Sequence, residues 1–204
     1  MDLSEVRRRA HTAALRAIAI EAAAVSALGD RIDARFDAAI SLMLERSGRV
    51  VVSGLGKTGH IGRKLAATLA STGTPAFFIH AAEALHGDSG MAHEDDVAIL
   101  ISNSGSTQEV CAFGRMLKDR GIPIIALVGR PDSELASIAT ISLDVSAKEE
   151  ADPLNLAPTA SAVAALAMGD ALACALMAAR GFGSEDFAKR HPGGALGAAL
   201  KDGE

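Results

Sequence analysis

The chain has 204 residues, a formal net charge of -5, 49% hydrophobic residues and only 3% aromatic ones, with no Trp and no Tyr. This fits one domain of ordinary size with a real core. It excludes the basic face and stacking platforms of a nucleic-acid surface.

Asp2 and Glu5 precede the run Arg7-Arg8-Arg9, and Arg16 and Glu21 interrupt the apolar residues that follow. The N-terminus is therefore not read as a secretory signal, and the arginines read as a solvated helix face. Helical spacing covers 3–28 and 33–46, with "GDRID" as the break between them. Short aliphatic runs then follow at 49–54, 75–80, 97–102, 123–129 and 139–145, each of strand length and each closed by turn residues. Helical patterns lie between them at 60–72, 106–120 and 132–137. Apolar strands alternating with helices predict a five-stranded parallel sheet in a three-layer α/β/α sandwich, doubly wound. The whole chain, 1–204, reads as one domain, with N-terminal helices over 1–47 and the α/β core with C-terminal helices over 48–204.

The segment 158–180 is apolar all round and holds a single acidic residue, Asp170. A central Asp costs about 2.5–3.5 kcal/mol on membrane insertion, so a buried helix of a soluble protein is the reading. Such a helix needs cover on every side, which predicts a homo-oligomer. Cys111 and Cys174 form neither a disulfide framework nor a C-x-x-C clip. Both fall in apolar helical patterns and predict small buried side chains.

Two loops carry chemistry. "SGLGKTGHIGRK", 53–64, superimposes two phosphate-binding patterns. A Walker A loop needs glycine at position 51, where Val51 stands. A dinucleotide fingerprint needs an acidic residue closing the second strand, where His80 stands. Gly54, Gly56 and Gly59 thus serve the backbone, through a tight turn and close approach. Lys57 offers a cation at the carboxyl edge of the sheet. The second loop is "SNSGSTQEV", 102–110. Ser102, Ser104, Ser106 and Thr107 place four hydroxyls around one glycine at a helix start, with Asn103 among them. Free amides and the partial positive charge of the helix end complete a seat for one phosphate monoester, with no metal needed. An N-cap by Ser104 or Ser106 explains one hydroxyl but not the cluster.

S-x-S-x-x-T at 102, 104 and 107 resembles the phosphate loop of the sugar isomerase (SIS) domain. "GLGKTGHIGRKLAATLASTGTPAFFIH", "EALHGDSGM", "ADPLNLAPTASAVAALAMGDALA" and "DFAKRHPGGALG" narrow the resemblance to the arabinose-5-phosphate isomerase family over about 45–200. The resemblance implies interconversion of D-ribulose 5-phosphate and D-arabinose 5-phosphate, toward the Kdo sugar of lipopolysaccharide. It implies a cytoplasmic enzyme, tetrameric, with no cofactor and no required metal. Family members often continue into paired CBS modules, whereas this sequence stops at Glu204. It is read either as a natural one-domain form or as a piece cut at the domain boundary.

Isomerisation moves one proton between C1 and C2 and another between their oxygens. A carboxylate suits the first task, and a histidine suits opening of a sugar ring near neutral pH. The resemblance makes Glu150 the enediol base, beside the bland reading of a solvated loop charge. Glu109, otherwise a helix-dipole partner, is the alternative base. His191 is assigned to ring opening or proton relay, reaching a neighbouring subunit's site, with His86 sharing the polar wall. Thr159 and Ser161 are candidate N-caps or sugar contacts. Gly54, Gly56, Ser102, Asn103, Ser104, Ser106 and Thr107 complete the substrate site, with Lys57 as its cation. His86 and His191 lack partners at metal-ligand spacing, so only an adventitious inhibitory metal is envisaged. The rivals are an isomerase of another phosphosugar, a phosphosugar sensor without turnover, and a nucleotide-dependent oxidoreductase.

Overall fold

A computed structural model describes residues 2–193. The end of the "HPGGALG" motif, and the residues after it, lie outside the described residues. Five parallel strands, β1 (Val50–Gly54), β2 (Ala76–His80), β3 (Val97–Ser102), β4 (Ile124–Val128) and β5 (Ile141–Asp144), form one sheet in the order β2-β1-β3-β4-β5. Among the described residues eight α-helices accompany them: α1 (Leu3–Ser26), α2 (Ala34–Glu45), α3 (Lys57–Ser71), α4 (Ala81–Ala84), α5 (Gln108–Asp119), α6 (Glu134–Ile138), α7 (Ala160–Arg180) and α8 (Ser184–Arg190). Alternate strand residues serve opposite faces. Val50, Val52, Ile99, Ile101, Ile125 and Leu127 pack beneath α1, α2, α3 and α7. Val51, Ala98, Leu100, Ala126 and Val128 pack with α4, α5 and α6. The three-layer sandwich read from the strand runs is thus the observed one.

The differences are local and have physical causes. Helix α3 begins at Lys57 rather than 60, because Gly56, at φ 58°, turns the chain directly into it. The glycines of its first turns face neighbours that admit no side chain: a Cβ on Gly62 would lie 2.9 Å from the Phe78 ring. Helix α5 begins at Gln108, with Thr107 in the N-cap position and no side-chain cap, so neither Ser104 nor Ser106 plays that part. Helix α8 and the one-turn α4 had no strong periodic signal.

Two helical stretches, Leu3–Arg31 and Ala160–Arg180, are long and apolar enough to cross a membrane. Helix α7 packs against α1, α2 and α3, and its charge, Asp170, pairs with Lys64 at 2.5 Å. The expectation for Cys174 fails: it is exposed, on the side of α7 that these neighbours do not cover, whereas Cys111 is fully buried. Burial pushes the Cys111 thiol up, as does nearby Glu134, which makes it a small hydrophobe rather than a thiolate.

Candidate active site

All five strands run the same way, so every strand-to-helix turn opens on one edge of the sheet. The order β2-β1-β3-β4-β5 reverses direction between β1 and β3. Open α/β sheets bind ligands in the crevice at that switch point. The two turns flanking it are the two loops singled out above.

The β1–α3 turn is built around its own backbone. A Cβ on Gly54 would lie 2.9 Å from the Thr58 carbonyl, and one on Gly59 would lie 3.2 Å from Gly54 O. The Thr58 hydroxyl donates to Leu55 O at 2.9 Å and accepts from Leu55 N at 3.3 Å. The threonine of the G-K-T sequence is thereby occupied as a staple. Lys57, exposed, is left without a polar partner among the described residues.

The β3–α5 loop is a cage of small polar groups. Ser102 Oγ and Thr107 Oγ1 lie 2.9 Å apart. Gly105 N donates to Ser102 O and Ser102 Oγ, both at 3.1 Å, and Ser106 N donates to Ser104 Oγ at 3.3 Å. Asn103, Ser104 and Ser106 face solvent. The first amides of α5 have no helical acceptor and no capping side chain. Glu109 is half-buried in that first turn, and among the described residues it has no hydrogen bond or ion pair.

Glu150 occupies the start of α7. Its Oε2 accepts from Thr159 N at 2.8 Å, Ser161 N at 3.1 Å and Thr159 Oγ1 at 3.1 Å, and its Oε1 accepts from Ser161 Oγ. Thr159 Oγ1 also accepts from Ala151 N at 2.7 Å, and Asn155 Oδ1 accepts from Glu150 N at 2.6 Å. Burial pushes the Glu150 carboxyl up, but the hydroxyls and amides of Ser161 and Thr159 outweigh it and hold it below the usual carboxylate range. Thr159 and Ser161 are therefore not N-caps in the ordinary sense. A carboxylate from nine or more residues upstream does the capping, a distance over which no local sequence signature operates.

Lys57 and Glu150 stand at the starts of two helices that pack together. Helices α3 and α7 run parallel and pack together, and Leu65 lies against Gly169. Lys57 opens α3, and the serine that holds Glu150 stands in the first turn of α7. Parallel packed helices have axes roughly 8–10 Å apart. His86 follows α4, exposed, and α4 packs against α5, the helix that carries Glu109.

His191 does not join this group. Helix α7 descends from the site for 21 residues, or about 30 Å. Phe182, just past its end, packs on Gly73 at the opposite edge of the sheet, and Arg190 stacks over Phe182. His191 ends α8 there, stacked on Phe187 with ring centroids 3.8 Å apart.

The SIS domain family model matches residues 43–175. The chain is 53% identical over 200 residues to arabinose 5-phosphate isomerase KdsD of Pseudomonas aeruginosa, covering 98% of this chain and 61% of that protein. It is 53% identical over 181 residues to arabinose 5-phosphate isomerase GutQ of Escherichia coli, covering 89% and 56% respectively. The chain thus spans 56–61% of the length of these curated relatives. The solved structure of E. coli CFT073 c3406 in complex with arabinose 5-phosphate superposes with a TM-score of 0.86 at 41% identity, covering 94% of this chain and 100% of that one.

Proposed function

The chain belongs to the SIS domain family, and from that premise we propose that it is an aldose–ketose isomerase that interconverts D-ribulose 5-phosphate and D-arabinose 5-phosphate. The observation that carries the reading is the uncapped start of α5 beside the switch point, ringed by Ser102, Ser104, Ser106 and Thr107. This seat suits one dianionic monoester. The names of the relatives, and the arabinose 5-phosphate held by the c3406 structure, supply the sugar.

With the phosphate in that seat, Glu150 takes the proton from one of C1 and C2 and returns it to the other, through a cis-enediol. Thr159 and Ser161 aim its carboxylate. Lys57 places a cation where negative charge develops on the enediol oxygens. Glu109 and His86 form the polar wall between them, with Glu109 the alternative base. Ring opening falls to His191 of another copy, because the length of α7 removes it from its own site. A second copy also suits the apolar side of α1, where Leu3, Leu15 and Ile18 are exposed. The assembly in this reading is a homotetramer in the cytoplasm, and its product feeds synthesis of the Kdo sugar of lipopolysaccharide.

A coupled assay over five-, six- and seven-carbon ketose phosphates tests this. Preferred turnover of ribulose 5-phosphate, without added metal or nicotinamide, is the expected result. Preferred turnover of a hexulose phosphate would reassign the substrate, and tight phosphosugar binding without turnover on any of the panel would make the protein a sensor.

A further inference from the structure

A phosphate seat in which Asn103, Ser104 and Ser106 are exposed needs something behind it. The chain between β4 and α6 supplies this. Gly129 N donates to Asn103 O at 3.0 Å, and Leu135 N donates to Gly105 O at 2.8 Å. These two bonds hold the loop 102–107 from behind at two points, on either side of Ser104. Contact is as close as the atoms allow. A Cβ on Gly129 would overlap Asn103 Oδ1 and come within 2.8 Å of Asn103 O. A Cβ on Gly105, whose φ is 62°, would overlap the side chain of Ser133, while the next neighbour, Val128 Cγ1, is 3.6 Å away. Ser133 Oγ is buried and has no hydrogen-bond partner among the described residues. Its place against Gly105 is therefore a matter of shape and not of bonding. The Arg115–Glu134 ion pair links the start of α6 to α5, the helix that the phosphate loop opens.

We propose that the segment 129–135 is the positioning element of the phosphate seat. Gly129 and Ser133 fix the Asn103–Gly105 backbone so that the hydroxyls of 102–107 and the first amides of α5 converge on one monoester. The proposal rests on the phosphate seat of the function proposed above, and it assigns binding geometry to residues that touch no substrate. Such residues act through ground-state and transition-state binding alike, since the phosphate is held equally in both. A displaced seat therefore raises KM and leaves kcat nearly unchanged.

The test uses inorganic phosphate as the probe, by titration calorimetry, alongside kinetics with ribulose 5-phosphate. Gly129→Ala forces Asn103 to move. The expected result is a rise of about tenfold or more in both the phosphate Kd and KM, the scale of one lost hydrogen bond to a charged group, with kcat within about threefold. Ser133→Gly, which removes a side chain without hydrogen bonds from the half-buried start of α6, serves if Gly129→Ala does not fold. It should raise both quantities by about threefold through loosening of the loop. Gly105→Ala should weaken phosphate strongly, and adding Ser133→Gly should restore part of that loss, because the overlapping atoms are then gone. A phosphate Kd unchanged within twofold in folded Gly129→Ala or in Ser133→Gly would overturn the proposal, as would a fall in kcat at constant KM. Absence of turnover in the parent protein would sink the isomerase reading alone, because the calorimetric arm decides the positioning role without it.

Discussion

Helices α5 and α7 both start at the carboxyl edge of the sheet, and both starts are dressed with hydroxyls. Their fates differ. The start of α7 is filled by the chain's own carboxylate: Glu150 takes the amides of Thr159 and Ser161 and both hydroxyls. The start of α5 is left uncapped, with the hydroxyls of Ser102, Ser104 and Thr107 bonded to one another or to the loop backbone. The same device, free amides plus hydroxyls at a positive helix end, holds an internal anion in one place and offers room to an external one in the other. What separates them is the preceding loop. The 146–159 loop folds back on itself, with Asp152 accepting from the amides of Leu154, Leu156 and Ala157, and delivers Glu150 to the helix end. The short turn after β3 has no acidic residue ahead of its helix to deliver.

Exchanging the occupants of these helix ends breaks the contrast in graded ways. The largest effect is expected from Glu150→Gln: a loss of about 10²–10⁴ in kcat, the scale of general acid–base catalysis, with phosphate affinity retained. Proton exchange with solvent at the sugar carbon measures it, and unchanged exchange would hand the base role to Glu109. At the open end, Ser104→Ala combined with Thr107→Ala should raise KM by about 10² with little change in stability, from the loss of two charge-assisted hydrogen bonds. An unaltered KM would remove the phosphate from that loop.

The next effect is a shift with pH. Ser161→Ala removes a hydrogen bond that lowers the Glu150 carboxyl, so its pKa should rise and the acid limb of kcat/KM should move to higher pH. The same depression has a stability consequence. A carboxyl held below its unfolded value stabilises the fold above the unfolded pKa, about 4.3 for Glu, and loses that contribution as pH falls through the lowered folded value. Urea melts of the parent and Glu150→Gln should therefore differ at neutral pH and converge on acidification. A gap that persists in strong acid would mean the ionised carboxylate is not what stabilises the loop. The smallest effect is Thr58→Val, which removes the staple of the β1–α3 turn. It should cost about 1 kcal/mol of stability and leave KM within twofold, since that threonine binds backbone and not substrate.

Much of this was legible beforehand. The strand runs at 97–102 and 123–129 read as buried and are buried, because near-continuous aliphatic residues have no other use in a doubly wound sheet. The glycines of 54–59 read as servants of the backbone, and Gly54 and Gly59 approach their neighbours as closely as that reading required. The hydroxyl cluster at 102–107 was visible as composition. The contacts of Thr159 and Ser161 with Glu150 were not, since they depend on how a long irregular loop returns. Gly129 and Ser133 gave no signal at all: a glycine after a strand is commonplace, and its partner Asn103 is a crossover away.

The sequence by itself determined the layers, the strand directions and the chemical types gathered at one edge, because hydrophobic periodicity and turn residues act over short stretches of chain. Only the tertiary structure decided which helix end is filled and which is open, that Lys57 and Glu150 stand at the starts of two packed helices, and that His191 lies past the far end of α7. Those facts depend on helix length, parallel packing of α3 against α7 and loop return, which set distances between residues far apart in the chain and leave no local pattern.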